Sequence, residues 1–589
     1  MVYCLKIPRK NWYAVKFIYN KELVDNIKAI EKDNRKWNAG TGSWEIKVLN
    51  LFNLIKIYKG NPIIFFEFGD IEHRQKFLDL IAKENLAASK KADDIIAQSA
   101  NKEKWTKYKE ELEITYPQFS KQLHALLKVP IKLYPHQIVA TMFMNKTRST
   151  LISHEMGLGK TLDSILYSEL NKFDKVVVVT PNSLKFNYYN EVVKFTNSKA
   201  HILNWKKNEY TLEESKYIIF NYDFLNTGSK KQMATKWKNL KLKNINAVIC
   251  DECQKLKNTK SNTYKNFKKI FSRDLFLDNN ESKIFLSGTP APNRAFELYS
   301  VLNQIAPFDF ATKNQFYEYY CGMTYDLDLM SWVTNDEDKK LEELFHKISP
   351  YTHRKRKADV LTDLPDKTYQ KIILELDPKE NKLYADVERN VANELFNNTA
   401  LNALTIMLRL RQLTAKYKIK HVTELIENVL ETGEKIIVVD FFKESLYELK
   451  EKFGEIAALH TGDQSVEERN DLINAFQDPK SNIKIFLASI QTANYGLTLT
   501  AASKMLIITL PYSVGEYDQV ADRCHRIGQK SAVNIYPIIF RDTIDEYVYS
   551  SIESKRGEII KVMDNEDYES TITETVVSEV INALKNKYK

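Results

Sequence analysis

The sequence has 589 residues, 43% hydrophobic and 28% charged, a balance that can bury several cores and predicts roughly three to five domains. With 16 Gly and 15 Pro it is neither collagen-like nor linker-dominated. The longest apolar runs, such as Val176–Val179 and Ile63–Phe66, stop well short of the ~18 residues of a spanning helix, so no membrane partner is expected. A formal charge of +9 fits a polyanionic partner and an ordinary Lys-rich surface equally well, and only motifs can decide between them. The opening MVYCLKIPRKNW has no apolar segment followed by a cleavage site, which leads us to expect a soluble, cytoplasmic protein. The five cysteines are too few and too scattered for a disulfide framework. Cys250 and Cys253 form a CxxC, but no second pair lies at zinc-site spacing.

In chain order, residues 1–70 read as a small α+β module. KNWYAVKFIYN alternates like a strand, ELVDNIKAIEK has helical spacing, and SWEIKV and PIIFFEF read as further strands. Residues 71–128 are charged and helix-favouring, a helical connector. Residues 129–370 read as a first α/β lobe, with buried strands DKVVVVT, KYIIFNY, NAVICDE and KIFLSGT between helices. After PNRAFELYSVL the strand signal fades into helical and aromatic segments, with one basic knot, HRKRK at 353–357. A helical insertion at 371–415 precedes a second lobe at 416–550, whose strands are EKIIVVDFF, IAALHTG, IKIFLAS, KMLIITL and VNIYPII. Residues 551–589 read as a helical tail. The predicted fold class is α/β: two parallel-sheet lobes with helical insertions and a small N-terminal module.

HEMGLGKT follows the strand-like TRSTLIS and opens a helix, the context a phosphate loop requires. Gly157 and Gly159 let backbone N–H groups approach phosphate oxygens, and the helix N-terminus adds the positive end of its dipole. Lys160 can then reach the β- and γ-phosphates of ATP, while the Thr161 hydroxyl suits Mg2+. NAVICDEC sets Asp251 and Glu252 at the carboxyl end of a buried strand, where open parallel sheets bind ligands. Asp251 suits Mg2+, and Glu252 suits activation of the attacking water. In QVADRCHRIGQ, Arg523 and Arg526 are expected on successive turns of one helix, presented from the second lobe to neutralise charge on a transferring phosphoryl group. Catalytic roles are therefore expected for Lys160, Asp251, Glu252, Arg523 and Arg526.

The ordered series resembles superfamily 2 ATPases of the Swi/Snf type over about residues 130–550, which implies two RecA-like lobes. LYPHQ matches the family's adenine-recognising segment at Gln137, and HEMGLGKT its phosphate loop. TPNSLKFNYYNE matches the next segment, with Tyr188 where Trp is usual, and CDECQKLKN the Asp-Glu box. FLSGTPAPN matches the coupling segment, with Ser287 and Thr289. HTGD…R, SIQTANYGLTLTAA and QVADRCHRIGQ match the later motifs, which adds Gly496 and Gln519 to the implied ATP site. YTHRKRKADVLTDLPDK is similar to the family's basic junction. Two positions depart from the pattern: His154 stands where Asp is frequent, and Gln254 where the acid box usually has His.

VKFIYNKELVDNIKAI…RKWNAGTGSWEI is similar to the HARP-type module of annealing helicases, which implies DNA recognition by Arg35, Lys36, Trp37 and Trp44. The alternative is that both tryptophans are core of a small sheet. The expectation is an ATP- and Mg2+-dependent translocase on double-stranded or branched DNA, acting in DNA replication or repair, from a bacterium or bacteriophage. A remodeler that strips proteins such as RNA polymerase from DNA is one rival, and a non-catalytic DNA-binding scaffold is another.

Overall fold

The computed structural model describes residues 117–567 except 204–213, 227–244, 272–281, 308, 311, 327–330, 362, 398–399, 494–496 and 527. Nearer the N-terminus it describes residues 2–6, 12–17, 23–24, 27–28, 30, 35–38, 43–47, 51 and 66–68. Most of the expected connector and the end of the expected tail lie outside the described residues. The chain divides into two compact units, Met1–Ile114 and Thr115–Lys589.

In the first unit, β1 (Val2–Lys6), β2 (Trp12–Phe17), β3 (Arg35–Asn38), β4 (Ser43–Lys47) and β5 (Phe66–Phe68) form one sheet in the order β3-β4-β2-β1-β5. The β1–β5 pair is parallel and the others are antiparallel. Among its described residues, Val15, Leu23, Ile27, Ile46 and Leu51 are buried and apolar.

The second unit holds two parallel sheets. The first comprises β6 (Ser149–His154), β7 (Val176–Thr180), β8 (Ala200–Ile202), β9 (Tyr217–Asn221), β10 (Ala247–Asp251) and β11 (Ser282–Leu286). Its central strands β7, β9 and β10 read as nearly unbroken apolar runs because both faces are covered. Val177, Val179, Ile218, Phe220, Val248 and Phe285 join one buried cluster, while their neighbours Val176, Val178, Ile219, Ile249 and Ile284 join another on the opposite face.

Two features here are absent from the sequence expectation. A hairpin of β12 (Gly322–Asp326) and β13 (Ser331–Lys339) interrupts the helical segment, with Trp332 set edge-on to Tyr317 at 5.4 Å. β14 (Thr352–Lys355), drawn from the basic knot, pairs parallel with β6 and completes the sheet order β14-β6-β11-β10-β7-β9-β8. Both lack the apolar alternation that marks a strand, because backbone pairing and neighbouring aromatics hold them in place.

The second sheet takes β15 (Lys367–Tyr369), β16 (Ile372–Leu374), β17 (Ile436–Asp440), β18 (Ala457–His460), β19 (Ile485–Ser489), β20 (Lys504–Ile507) and β21 (Val533–Phe540). Its order is β15-β21-β20-β17-β19-β18, with β16 also on β21, and every pairing is parallel. The change from one sheet to the other thus falls between β14 and β15, ahead of the expected boundary after 370. The helices Ala400–Glu431 and Ile544–Asp564 run through the expected boundaries at 415 and 550. The second of these begins in the second lobe's core, with Ile544, Val548 and Ile552, and ends in the first lobe's, with Val562 and Met563. Among the described residues no helix is long and apolar enough to cross a membrane.

Candidate nucleotide site between the two lobes

The loop after β6 is built on two glycines in the left-handed region, Gly157 at φ 86° and Gly159 at φ 85°. That conformation costs a side-chain-bearing residue energy and glycine none. Gly159 is also crowded, since a Cβ there would collide with the side-chain amide of Gln137. Gln137 is buried on the helix Pro135–Thr147 and anchored by the Tyr134 N–H donating to its Oε1 at 3.0 Å. The expected adenine-recognising residue and phosphate loop are therefore in contact. Gly159 caps the helix Lys160–Leu170, and the Lys160 ammonium donates back to the loop carbonyls of His154 at 2.8 Å and Glu155 at 3.3 Å. Burial lowers the Lys160 pKa, while Glu252, Asp251 and Asp163 pull it back up. Thr161 follows in the helix's first turn.

Asp251 ends β10, and Glu252 beside it adopts φ 51°. The parallel register sets Val179 of β7 opposite Cys250, so Thr180 comes level with Asp251 and donates to its Oδ2 at 3.1 Å. Burial first, then the adjoining Glu252, push the Asp251 carboxyl above its usual range. Tyr188, where the family usually has Trp, is buried with its hydroxyl 2.8 Å from Ser164 of the phosphate-loop helix.

A hydrogen-bonded row runs from the acid pair across the seam. Gln254 Nε2 donates to Glu252 at 2.7 Å, and Ser287 Oγ donates to Gln254 Oε1 at 2.7 Å. The Thr289 N–H donates to Ser287 Oγ at 3.0 Å, and Gln519 of the second lobe donates to Thr289 Oγ1 at 3.0 Å. Ser287, Thr289 and Gln519 were expected at the site; the linking role of Gln254 was not. Its place two residues past Glu252 was the available signal. His154 lies beneath the loop, with Nδ1 3.2 Å from Asp163 and Nε2 2.7 Å from His353 Nδ1 of β14. Burial lowers the His154 pKa and raises that of Asp163.

The arginines differ from expectation in local structure. The helix Val514–Ala521 stops before them, and Arg523 and Arg526 occupy the turn that follows. The chain leaves the helix where the Arg523 carbonyl accepts from the Leu499 N–H and the Asp522 carboxylate is taken by lysines. The turn still delivers both to the first lobe. Arg523 is buried with Nη2 3.7 Å from Met156 Sδ, and the Arg526 stem lies 3.9 Å from where a Gly157 Cβ would be. Burial lowers the Arg526 pKa, opposed by Asp522 and by Glu252 across the seam.

Gly496 lies outside the described residues. In the first unit Trp37 and Trp44 face each other across β3 and β4, ring centroids 5.3 Å apart. Trp37 is 50% exposed and so is not core; Trp44 is half-buried and Lys36 exposed. Arg35 donates to the Ile30 carbonyl at 2.6 Å and the Lys28 carbonyl at 2.8 Å, and its guanidinium lies 5.7 Å from the Trp44 ring. Cys250 and Cys253 are both buried, and among the described residues no cluster of three His, Cys, Asp or Glu could hold a metal ion.

Two RecA-like lobes facing each other across a glycine loop, a strand-end acid pair and a paired-arginine turn define a helicase-like ATPase class. Residues 66–475 match the SNF2-related domain, and the chain belongs to that family. It is 28% identical over 443 residues to an uncharacterized ATP-dependent helicase of Mycoplasma pneumoniae, covering 70% of this chain and 40% of that protein. It is 27% identical over 449 residues to the DNA annealing helicase and endonuclease ZRANB3 of Bos taurus, covering 73% and 40% respectively. The chain thus spans about 40% of the length of these curated relatives. Among solved structures it resembles the Sulfolobus solfataricus SWI2/SNF2 ATPase core in complex with dsDNA, at 23% identity over 74% of this chain and 95% of that one, with a TM-score of 0.36.

Proposed function

We propose that the protein is an ATP- and Mg2+-dependent double-stranded DNA translocase that remodels branched DNA, by fork regression, strand annealing or branch migration, in replication or repair. The seam carries this reading: the phosphate-binding and water-activating groups belong to the first lobe, the charge-neutralising arginines come from the second, and the two sets meet only where the lobes touch. A site completed by closure lets ATP binding favour one arrangement of the lobes and hydrolysis release it. The match to a relative named as a DNA annealing helicase and endonuclease supports DNA as the substrate and strand annealing among the reactions proposed.

In this reading the loop N–H groups and Lys160 hold the phosphates, with Lys160 exchanging its bonds to the loop carbonyls for bonds to phosphate oxygens. Thr161 and Asp251 suit Mg2+, because a buried carboxyl pushed toward protonation beside a second acid is relieved by a cation. Bound Mg2+ would neutralise charge on the phosphate oxygens. Glu252, oriented by Gln254, takes the proton of the attacking water, and Arg523 and Arg526 stabilise charge developing on the phosphoryl group. Lys and Arg side chains of both lobes grip the DNA backbone, which predicts affinity without sequence preference and a steep salt dependence. The deciding assay compares ATPase rates with forked duplex, linear duplex, single-stranded DNA and RNA. The fork should stimulate most and RNA least; equal rates with all four, or with none, would rule the proposal out.

A further inference from the structure

The basic knot at 353–357 has the composition of a DNA-gripping patch, but several of its side chains turn inward. Arg354 pairs with Asp564 at 3.1 Å with both side chains largely covered, whereas Arg356 pairs with Glu566 at 2.7 Å at the surface. Lys357 is only 3% exposed. Its backbone N–H donates to Glu155 Oε2 of the phosphate loop at 2.9 Å. Its ammonium donates to the His525 carbonyl at 2.7 Å and lies 3.1 Å from Asp522 Oδ2. One residue therefore touches both halves of the site: the loop with its main chain, and the arginine turn with its side chain.

Two further contacts fix the same turn to the segment joining the sheets. Lys367, at the start of β15, sits 2.8 Å from Asp522 Oδ1, and His525 Nε2 donates to the Pro365 carbonyl at 2.7 Å. The tethered residues Asp522 and His525 each immediately precede an arginine. Burial alone would push the Asp522 carboxyl up, but Lys367 and Lys357 outweigh it and hold it well below the usual range. The carboxylate is thus a charged anchor for two cations, one just past β14 at the edge of the first sheet and one opening β15 at the edge of the second.

We propose that Lys357 is a positioning residue for hydrolysis: it seats the turn bearing Arg523 and Arg526 against the phosphate loop, so that the segment between the sheets sets the arginines' place. The proposal rests on the ATPase reading above. A positioning role predicts a loss in turnover without a matching loss in ATP affinity, since small misplacements of a charge-stabilising group act on the transition state. Lys357→Met suits the test because Lys367 and Asp522 remain a balanced buried pair.

At saturating DNA, Lys357→Met should lower kcat about 10–100-fold with KM for ATP within about threefold of wild type. Arg526→Ala should cost far less in the Lys357→Met background than in wild type, because both substitutions remove one function. Thermal unfolding midpoints accompany each variant, and if Lys357→Met does not fold, Lys357→Gln takes its place in the same cycle. A folded variant with wild-type kcat, or fully multiplicative effects of the two substitutions, would overturn the assignment. A wild-type protein without DNA-stimulated ATPase would overturn the parent reading, and this proposal with it.

Discussion

At the scale of single residues, the site separates groups that act on phosphate from groups that aim them. Lys160→Ala and Glu252→Gln should each reduce DNA-stimulated turnover by about 10²–10⁴-fold, the range for removing a positioned acid–base or charge-stabilising group. DNA affinity measured by fluorescence anisotropy should stay within a few-fold, and near-normal turnover of Glu252→Gln would take Glu252 out of the base role. Glu191 offers a test of the electrostatics around the acid pair. Burial, and then the charge of Asp251, push its carboxyl up to about 7. A carboxyl raised in the folded state keeps its stability at low pH and loses it as pH climbs from the unfolded pKa through the folded one. Glu191→Gln should therefore match wild type near pH 4 and gain about 1–3 kcal/mol by pH 8 in urea unfolding, because Gln carries no charge to desolvate. An equal gain at both pH values would show a packing effect instead.

At the scale of elements, the hairpin of β3 and β4 presents one exposed indole with a second behind it. An indole half in water can stack on an unpaired base, a contact worth about 1–3 kcal/mol, and continuous duplex offers no such base. Trp37→Ala should weaken fork binding by roughly 5–150-fold, the same energy expressed as affinity, and leave duplex binding and duplex-stimulated ATPase nearly unchanged. An unaltered fork-to-duplex affinity ratio would remove this hairpin from junction recognition. The same scale shows what the sequence made legible. VVVVT, AVICD and IIVVD announced themselves as strands because residues buried on both faces must be apolar throughout. The glycines and acids of the loop and box were readable because their chemistry is local. β14 was not, since its polar residues are held by β6, far back along the chain, and neither was the β12–β13 hairpin, whose polar strands carry no alternating apolar face. The helix end at Ala521 was equally hidden, being set by Lys357, Lys367 and the Leu499 N–H.

At the scale of the whole molecule, chain order and spatial membership part company in the helix Ile544–Asp564. Sequence alone places it after the second lobe. In space its last turns fill the first lobe, where Val562 and Met563 join the buried cluster and Glu558 pairs with Arg294 at 2.8 Å and Lys339 at 2.6 Å. Arg294 directly follows the coupling segment and is only 6% exposed, so without Glu558 it would be a buried cation lacking its carboxylate, a defect of about 3–5 kcal/mol. This bears on how the protein can be dissected. A fragment ending at residue 550 keeps every strand of both sheets, yet it should melt well below the full chain in calorimetry, with the first lobe failing first. An intact melting temperature for that fragment would show the helix to be an ornament. By the same logic a ribosome cannot finish the early lobe when it has made the early lobe's strands: the piece that seals it is translated hundreds of residues later, so the nascent first lobe waits, partly open, for a helix that follows the whole second sheet.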